Sequence, residues 1–302
     1  MTDVSVVARR VMRRLVEQGV NVYITQIEYA DDTTGLLAAD NEQDLQLAVD
    51  ALLKGFSDYY SANGLKLNEA KCHVMVFRPK RKIANITVAG KAEEPMLRLL
   101  GLFIDNKLEY DQHTKIICGR LVGKLTHLEA LKNKASFKTL KEVTTAHIHS
   151  TIEFVAELYL REHKNQVLIQ KKLNSSMRML LNREYGESCG EMLFELRWLN
   201  VTNMRRWCCI RTLKRIMQCP SQVPHLWDVV NLNQGPMHSV RYNALKLHWR
   251  KYTRWARDSF VYQATDLYNS MGLHGRGFED YEDMRDQIKL TIRQMFGNRN
   301  VK

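Results

Sequence analysis

The chain has 302 residues, 45% of them hydrophobic and 26% charged, which excludes a disordered or fibrous protein and allows two or three structural units with cores of their own. Lys and Arg outnumber Asp and Glu by 45 to 33, a formal net charge of +12, which favours a polyanionic partner without deciding the fold. Six cysteines with no Cys-x-x-Cys pair exclude a disulfide scaffold and an obvious zinc module, and no apolar run reaches the ~18 residues of a membrane span.

Val4, Val7, Val11 and Leu15 recur at helical spacing and predict a helix over 4–18, stopped by Gly19. Arg9, Arg10, Arg13 and Arg14 lie among its valines, so this stretch lacks the apolar core of a secretory signal. Residues 20–29, rich in Val, Ile, Thr and Tyr, predict a strand, and 33–39 a second. Ala30, Asp31 and Asp32 between them suit a tight turn. Asp40 or Asn41 can cap a helix with apolar positions Leu45, Val49, Leu52, Phe56 and Tyr59, ended by Asn63 and Gly64. Further strands are predicted over 71–77 and 83–88, and 97–104 reads as a short buried strand pair broken at Gly101. From Asp111 to Met217 the pattern is helical, with weak stops near 133–136, 163–165 and 186–190. Pro220, Pro224, Gly235 and Pro236 mark a loop-rich joint. Beyond it, 238–268 reads as one helix or two, Gly272, Gly275 and Gly277 as a loop, and 281–295 as a last helix. The fold class is therefore α+β, a small α+β unit over 1–110 followed by helical regions over 111–200 and 201–302.

Two adjacent carboxylates at the tip of an apolar hairpin repel one another, and a divalent cation removes that cost. Hard oxygen ligands suit Mg²⁺, which takes one or two protein carboxylates and keeps the rest of its shell for water and phosphates. Two such ions can hold the attacking and leaving oxygens of phosphoryl transfer. A solvated Asp-Asp turn with no ligand is the plain alternative.

Four segments in order change the weight of that pair. Tyr29-Ala30-Asp31-Asp32 resembles the Tyr-x-Asp-Asp signature of reverse transcriptases. Gly64-Leu65-Lys66-Leu67-Asn68-Glu69-Ala70-Lys71 is similar to the palm segment that follows the catalytic hairpin. Leu100-Gly101-Leu102-Phe103-Ile104-Asp105, with Lys107, Leu108 and His113 behind it, resembles the primer-grip segment of retrotransposons lacking long terminal repeats, jockey-like elements included. Glu195-Leu196-Arg197-Trp198-Leu199, followed by Arg205 and Arg206, resembles the helical region after the thumb.

The resemblance implies a partial polymerase palm with a helical thumb and tail, acting in RNA-directed DNA synthesis with Mg²⁺ (or Mn²⁺) on an RNA template and a DNA primer or target. It makes Asp31 and Asp32 metal ligands, Asp31 the more direct. It places Tyr29 against primer–template or nucleotide, unless Tyr29 is simply a packed strand aromatic. Lys71 matches a lysine proposed to protonate the pyrophosphate leaving group, or is a solvated lysine at a strand start. Leu100, Gly101 and Leu102 would place the primer end, or form a bent core strand. Before Tyr29 the acids are Asp3, Glu17 and Glu28, none suited to be the third metal-binding Asp. The chain alone is therefore expected to be catalytically incomplete.

From Thr202 to Arg257 there are 11 Lys and Arg against one acid, Asp228. Lys246, Arg250, Arg254 and Arg257 form a line beside an apolar line of Leu245, Trp249, Tyr252 and Ala256. Arg205, Arg206, Arg211, Lys214 and Arg215 are expected to form a similar outward basic face, and such faces neutralise nucleic-acid phosphates. Trp207, Tyr242, Trp249 and Trp255 either stack on bases or pack in the core. Cys208 and Cys209 read as packing, and Cys72 and Cys118 as buried thiols. The expected setting is intracellular, nucleus or cytoplasm, away from membranes. Two other readings compete: a non-enzymatic nucleic-acid-binding remnant, and a helical protein–protein adaptor in which Tyr-x-Asp-Asp is coincidental; Asp31 and Asp32 inside a helix would remove the polymerase reading.

Overall fold

The computed structural model describes residues 4, 6–77, 85–223, 226–227, 259–271 and 281–297. The chain divides into two compact units at 108/109.

The first unit begins with α1 (Val6–Glu17), whose buried side is Val7, Ala8 and Leu15. Strands β1 (Val22–Tyr29) and β2 (Asp32–Ala39) form an antiparallel hairpin paired from Val22↔Ala39 to Tyr29↔Asp32. The long helix α2 (Glu42–Ala62) starts at Asn41, whose side chain accepts from the Asp44 N–H, so Asn41 rather than Asp40 is the cap. Three close approaches fix the layers. A Cβ on Gly35 of β2 would lie 2.7 Å from Leu52 Cδ2, and one on Gly55 of α2 would lie 2.9 Å from Val11 Cγ2 and 3.1 Å from Val7 Cγ1. The side chain of Gln26 on β1 accepts from the Ala8 N–H and donates to the Val4 carbonyl, 2.8 Å each, tying the start of α1 to the strand. Val7, Ala8, Leu15, Val22, Ile24, Ala48, Leu52 and Phe56 form the resulting core.

Two further hairpins follow, β3 (Thr87–Val88) with β4 (Lys91–Ala92) and β5 (Met96–Leu99) with β6 (Leu102–Asp105). Among the described residues the three hairpins are three separate two-stranded sheets. The expected strand over 71–77 is not one. Residues 69–71 form a 3₁₀ turn, and Cys72, Val74 and Val76 run on without a ladder. Their alternation is real, since all three pack against Val49, Ile86 and Val88. Among the described residues a single backbone bond, Glu94 N–H to the Val74 carbonyl at 2.8 Å, stands where the strand pairing was expected. The expected strand over 83–88 shortens to its last two residues, with 78–84 outside the described residues. The 97–104 pair is half-buried, with only Leu102 fully enclosed.

The second unit is helical: α3 (Asp111–Leu131), α4 (Phe137–Thr144), a π-helical turn over Thr145–His149, α5 (Ser150–Glu153), α6 (Ala156–Tyr159), α7 (His163–Leu181), α8 (Cys189–Leu196), α9 (Val201–Gln218), α10 (Phe260–Ser270) and α11 (Tyr281–Phe296). The stop expected near 163–165 is in fact the start of α7. Asn165 there is buried, and its amide donates to the Tyr159 carbonyl at 3.0 Å and the Glu109 carbonyl at 2.9 Å. A polar residue that reads as a breaker thus satisfies the carbonyls of the preceding segment. The stop expected near 186–190 falls just before α8, with Gly190 already in its first turn. At the centre, α9 packs on α6, α7, α10 and α11 and buries Trp207, Cys208, Cys209, Ile210 and Leu213 among others. Of the expected 238–268 helix, α10 alone is described; Gly272, Gly275 and Gly277 lie outside the described residues. No helix among the described residues is long and apolar enough to cross a membrane.

Candidate metal and nucleic-acid site

The β1–β2 loop has two residues, Ala30 and Asp31, because Asp32 is already paired with Tyr29. Ala30 carries the turn at φ 55, a left-handed conformation that costs an L-residue about 1–2 kcal/mol. Strand alternation sends Tyr23, Ile27, Tyr29, Asp32 and Leu36 to the side of the sheet opposite Val22, Ile24, Gln26 and Glu28. The second set faces α1 and α2; in the first, Tyr23, Ile27, Tyr29 and Leu36 are 58%, 56%, 65% and 46% exposed. Asp31 and Asp32 are both exposed, and neither carboxylate has a hydrogen-bond or ion-pair partner among the described residues. Two adjacent hard-oxygen donors with no competing cation fit Mg²⁺ as a partial shell completed by phosphates and water. A third acid does not join them: among the described residues no group of three His, Cys, Asp or Glu could hold a metal.

Lys71 ends the 3₁₀ turn and is exposed. The backbone on either side of it is held by Lys91, whose ammonium donates to the Ala70 and Cys72 carbonyls. Leu100 and Gly101 form the β5–β6 turn with φ 48 and 88, the pattern of a two-residue turn left-handed at both positions. Leu100 is exposed at its tip and Leu102 is buried, so the expected primer-placing trio divides between surface and core.

In the helical unit, His113 is fully enclosed, edge-on to Tyr159 at 5.0 Å, and burial with Arg120 nearby lowers its pKa to about 4. Its role there is packing as a neutral ring. The 195–199 segment closes α8. Arg197 takes the left-handed cap at φ 55, and Trp198, 5% exposed, packs edge-on to His149 at 4.3 Å.

The expected outward basic face on α9 requires correction. Arg205, Arg206, Arg211 and Lys214 are half-buried, and Arg215 is the exposed member. Arg211 pairs with Glu153 at 2.7 Å, both side chains about a fifth exposed, and lies 5.8 Å over the Trp207 ring. Arg205 donates to Gln263 and to the Glu157 carbonyl, and Arg206 donates to Asn203 Oδ1 at 2.7 Å. Lys214 sits 5.3 Å over the Tyr268 ring. Burial lowers the pKa values of Arg206 and Lys214. The reason is that α9 buries residues around most of its circumference, so its cations find partners inside the unit. Trp207 is core, 2% exposed. Cys208 and Cys209 pack in the same core, where burial pushes both thiols up, Cys209 to about 11. Cys72 and Cys118 are half-buried rather than enclosed. Lys246, Arg250, Arg254 and Arg257, with Tyr242, Trp249 and Trp255, lie outside the described residues.

Sequence patterning alone does not single out the first helix as a functional face. Arg9, Arg10, Arg13 and Arg14 are all exposed on α1. The signal is nonetheless present, since four arginines at i, i+1, i+4 and i+5 share one helix face. No family model matches the chain, and neither a curated protein nor a solved structure matches it.

Proposed function

We propose that the chain is part of a non-LTR retrotransposon RNA-directed DNA polymerase, with β1–β2 as its piece of palm, and that it is catalytically incomplete by itself. One observation carries the reading: adjacent carboxylates, exposed and unpaired among the described residues, at the bend of a fully paired antiparallel hairpin backed by helices. A helical placement of Asp31 and Asp32 would remove the polymerase reading, and both lie at the hairpin bend instead. The order of the later segments agrees with the resemblance, a turn carrying Lys71, then a Leu100–Gly101 hairpin, then helices.

In this reading Asp31 and Asp32 hold Mg²⁺ or Mn²⁺, which when bound neutralises phosphate charge and orients phosphate oxygens. Tyr29, beside Asp32 on the open side of the sheet, lies against the primer–template backbone or the incoming nucleotide. In a complete polymerase Lys71 would be the donor of a proton to the pyrophosphate leaving group. RNA template and DNA primer or target are the partners. Polymerisation needs a preorganised metal pair, and among the described residues no third acid joins the two carboxylates to hold both ions.

Two measurements test this. Primer extension with Mg²⁺ or Mn²⁺ is expected to yield no template-dependent product; extension abolished by Asp31→Asn overturns the incompleteness. Anisotropy titration of a labelled RNA–DNA primer–template is expected to show Mg²⁺ tightening binding about ten-fold, worth 1.4 kcal/mol. Asp31→Asn with Asp32→Asn should abolish that increment. A Mg²⁺ effect that survives the double substitution, or that is absent from the unmodified chain, sinks the metal role of the hairpin.

A further inference from the structure

The outer face of α1 is a second candidate, with no part in the reading above. Its arginines 9, 10, 13 and 14 cover an arc of about 140° at 100° per residue and a length of about 7.5 Å along the axis. All four are exposed, and among the described residues none has a carboxylate within ion-pair distance. No acid occupies the first turn of the helix. Arg9 with Arg13 and Arg10 with Arg14 are like-charge i,i+4 pairs, each costing about 0.2–0.5 kcal/mol in an isolated helix. The helix holds this unfavourable arrangement because its other side is committed elsewhere. Val7 and Leu15 are 6% and 3% exposed, Gly55 lets Val7 and Val11 approach α2 closely, and Gln26 clamps the helix start to β1.

We propose that this arginine face binds the phosphate backbone of a nucleic acid, independently of base sequence and of divalent metal. Four fixed cations suit that ligand because each can neutralise a phosphate and release its condensed counterion. A membrane surface fits less well. An interfacial helix inserts its apolar face into lipid, and here that face is packed in the core. An acidic protein fits less well too, because only Val16 among the large apolar residues of α1 is strongly exposed, too little for an interface centre.

Placement on the fold makes this a separate surface from the hairpin tip. Helix α1 covers the Val22, Ile24 and Gln26 side of the sheet, while Tyr29 and Asp32 face the other way. The clamp at Gln26 is three residues, about 10 Å, from Tyr29. A strand held on α1 is therefore kept at a constant distance from the bend, with the sheet between them. The proposal holds whether or not the hairpin takes part in polymerisation.

The test uses the full chain and a fluorescein-labelled 20-base-pair duplex of mixed sequence, titrated by anisotropy in EDTA across a series of salt concentrations. Without divalent metal the hairpin forms no metal bridge to phosphate, so failure here leaves the hairpin reading standing, and the reverse. The quadruple variant R9Q/R10Q/R13Q/R14Q keeps helix propensity and the buried face. It is expected to bind at least ten-fold more weakly near 0.1 M salt, with the slope of log K against log salt shallower by about 3, near 0.9 for each phosphate no longer neutralised. The variant R9K/R10K/R13K/R14K is expected to keep the slope and most of the affinity. Unchanged affinity and slope in the glutamine variant overturn the proposal. Equal loss in both variants also overturns it, because charge is then not what the duplex reads. Equal or tighter binding of the unmodified chain to phosphatidylserine vesicles or to polyglutamate assigns the face to another partner and overturns it as well.

Discussion

Helices α1 and α9 carry similar runs of arginine and put them to opposite uses. On α1 the four guanidiniums stand in solvent, and only Val7, Ala8 and Leu15 are buried. On α9 nine residues are buried, from Val201 to Ile216, and the arginines between them reach internal acceptors at Glu153, Glu157, Gln263 and Asn203. A basic helix face thus becomes an external surface or part of a core according to how much of the circumference neighbouring helices cover. Net charge is common to both cases and does not distinguish them.

The contrast is most open to test at Trp207, which is 2% exposed with Arg211 and Lys289 over its ring. Trp207→Ala is expected to cost about 3–5 kcal/mol by chemical denaturation; a cost below about 1 kcal/mol contradicts a core role for α9. Next comes the ion pair. Arg211→Ala strands the Glu153 carboxylate, about a fifth exposed, and is expected to cost about 3 kcal/mol, whereas Arg13→Ala on α1 should stay within about 0.5 kcal/mol. Similar losses at both positions would erase the distinction.

Acid probes the enclosure of the helical unit from another side. Burial first, with Lys289 second, lowers the His149 pKa from 6.5 to about 3, and burial with Arg120 lowers that of His113 to about 4. Below pH 6.5 the unfolded chain therefore binds more protons than the folded one. The stabilisation is complete above pH 6.5 and is lost as pH falls towards those folded values, about 2 kcal/mol per ring by pH 5. Unfolding of the helical unit followed between pH 7 and 5 checks this. His149→Phe, which keeps a ring beside Trp198, should flatten the dependence by about half; an unchanged slope rejects His149 as its source. The smallest expected effect is at the close approach behind the arginine face. Gly55→Ala gains about 1 kcal/mol in helix propensity but crowds Val11 and Val7, for a net loss of about 1 kcal/mol in thermal or denaturant unfolding. A net gain would mean that α1 moves easily on α2, and would weaken the rigid presentation of its arginines.

Much of the first unit is legible in the residues themselves. The hairpin follows from strand propensity on either side of Ala30 and Asp31, and α2 from Asn41 and the spacing of Val49, Leu52 and Phe56. Its misses are local. Cys72, Val74 and Val76 alternate like a strand but lack a ladder partner, and Asp32, read as part of the turn, is already paired with Tyr29. In the second unit the helices are legible from period, while their ends are not. Asn165 looks like a breaker until its amide is seen capping carbonyls of two earlier residues.

Features that depend on neighbours a few residues apart are already present in the order of the amino acids: helix and strand period, the cap at Asn41, and the pairing of Asp31 and Asp32 at a bend. Which charges remain solvated is settled only by packing. Arg211 lies 58 residues from Glu153, and Gln26 reaches 18 residues back to hold α1. Burial and ion pairing are set by segments that meet after the chain has folded, and no local periodicity encodes which segment arrives.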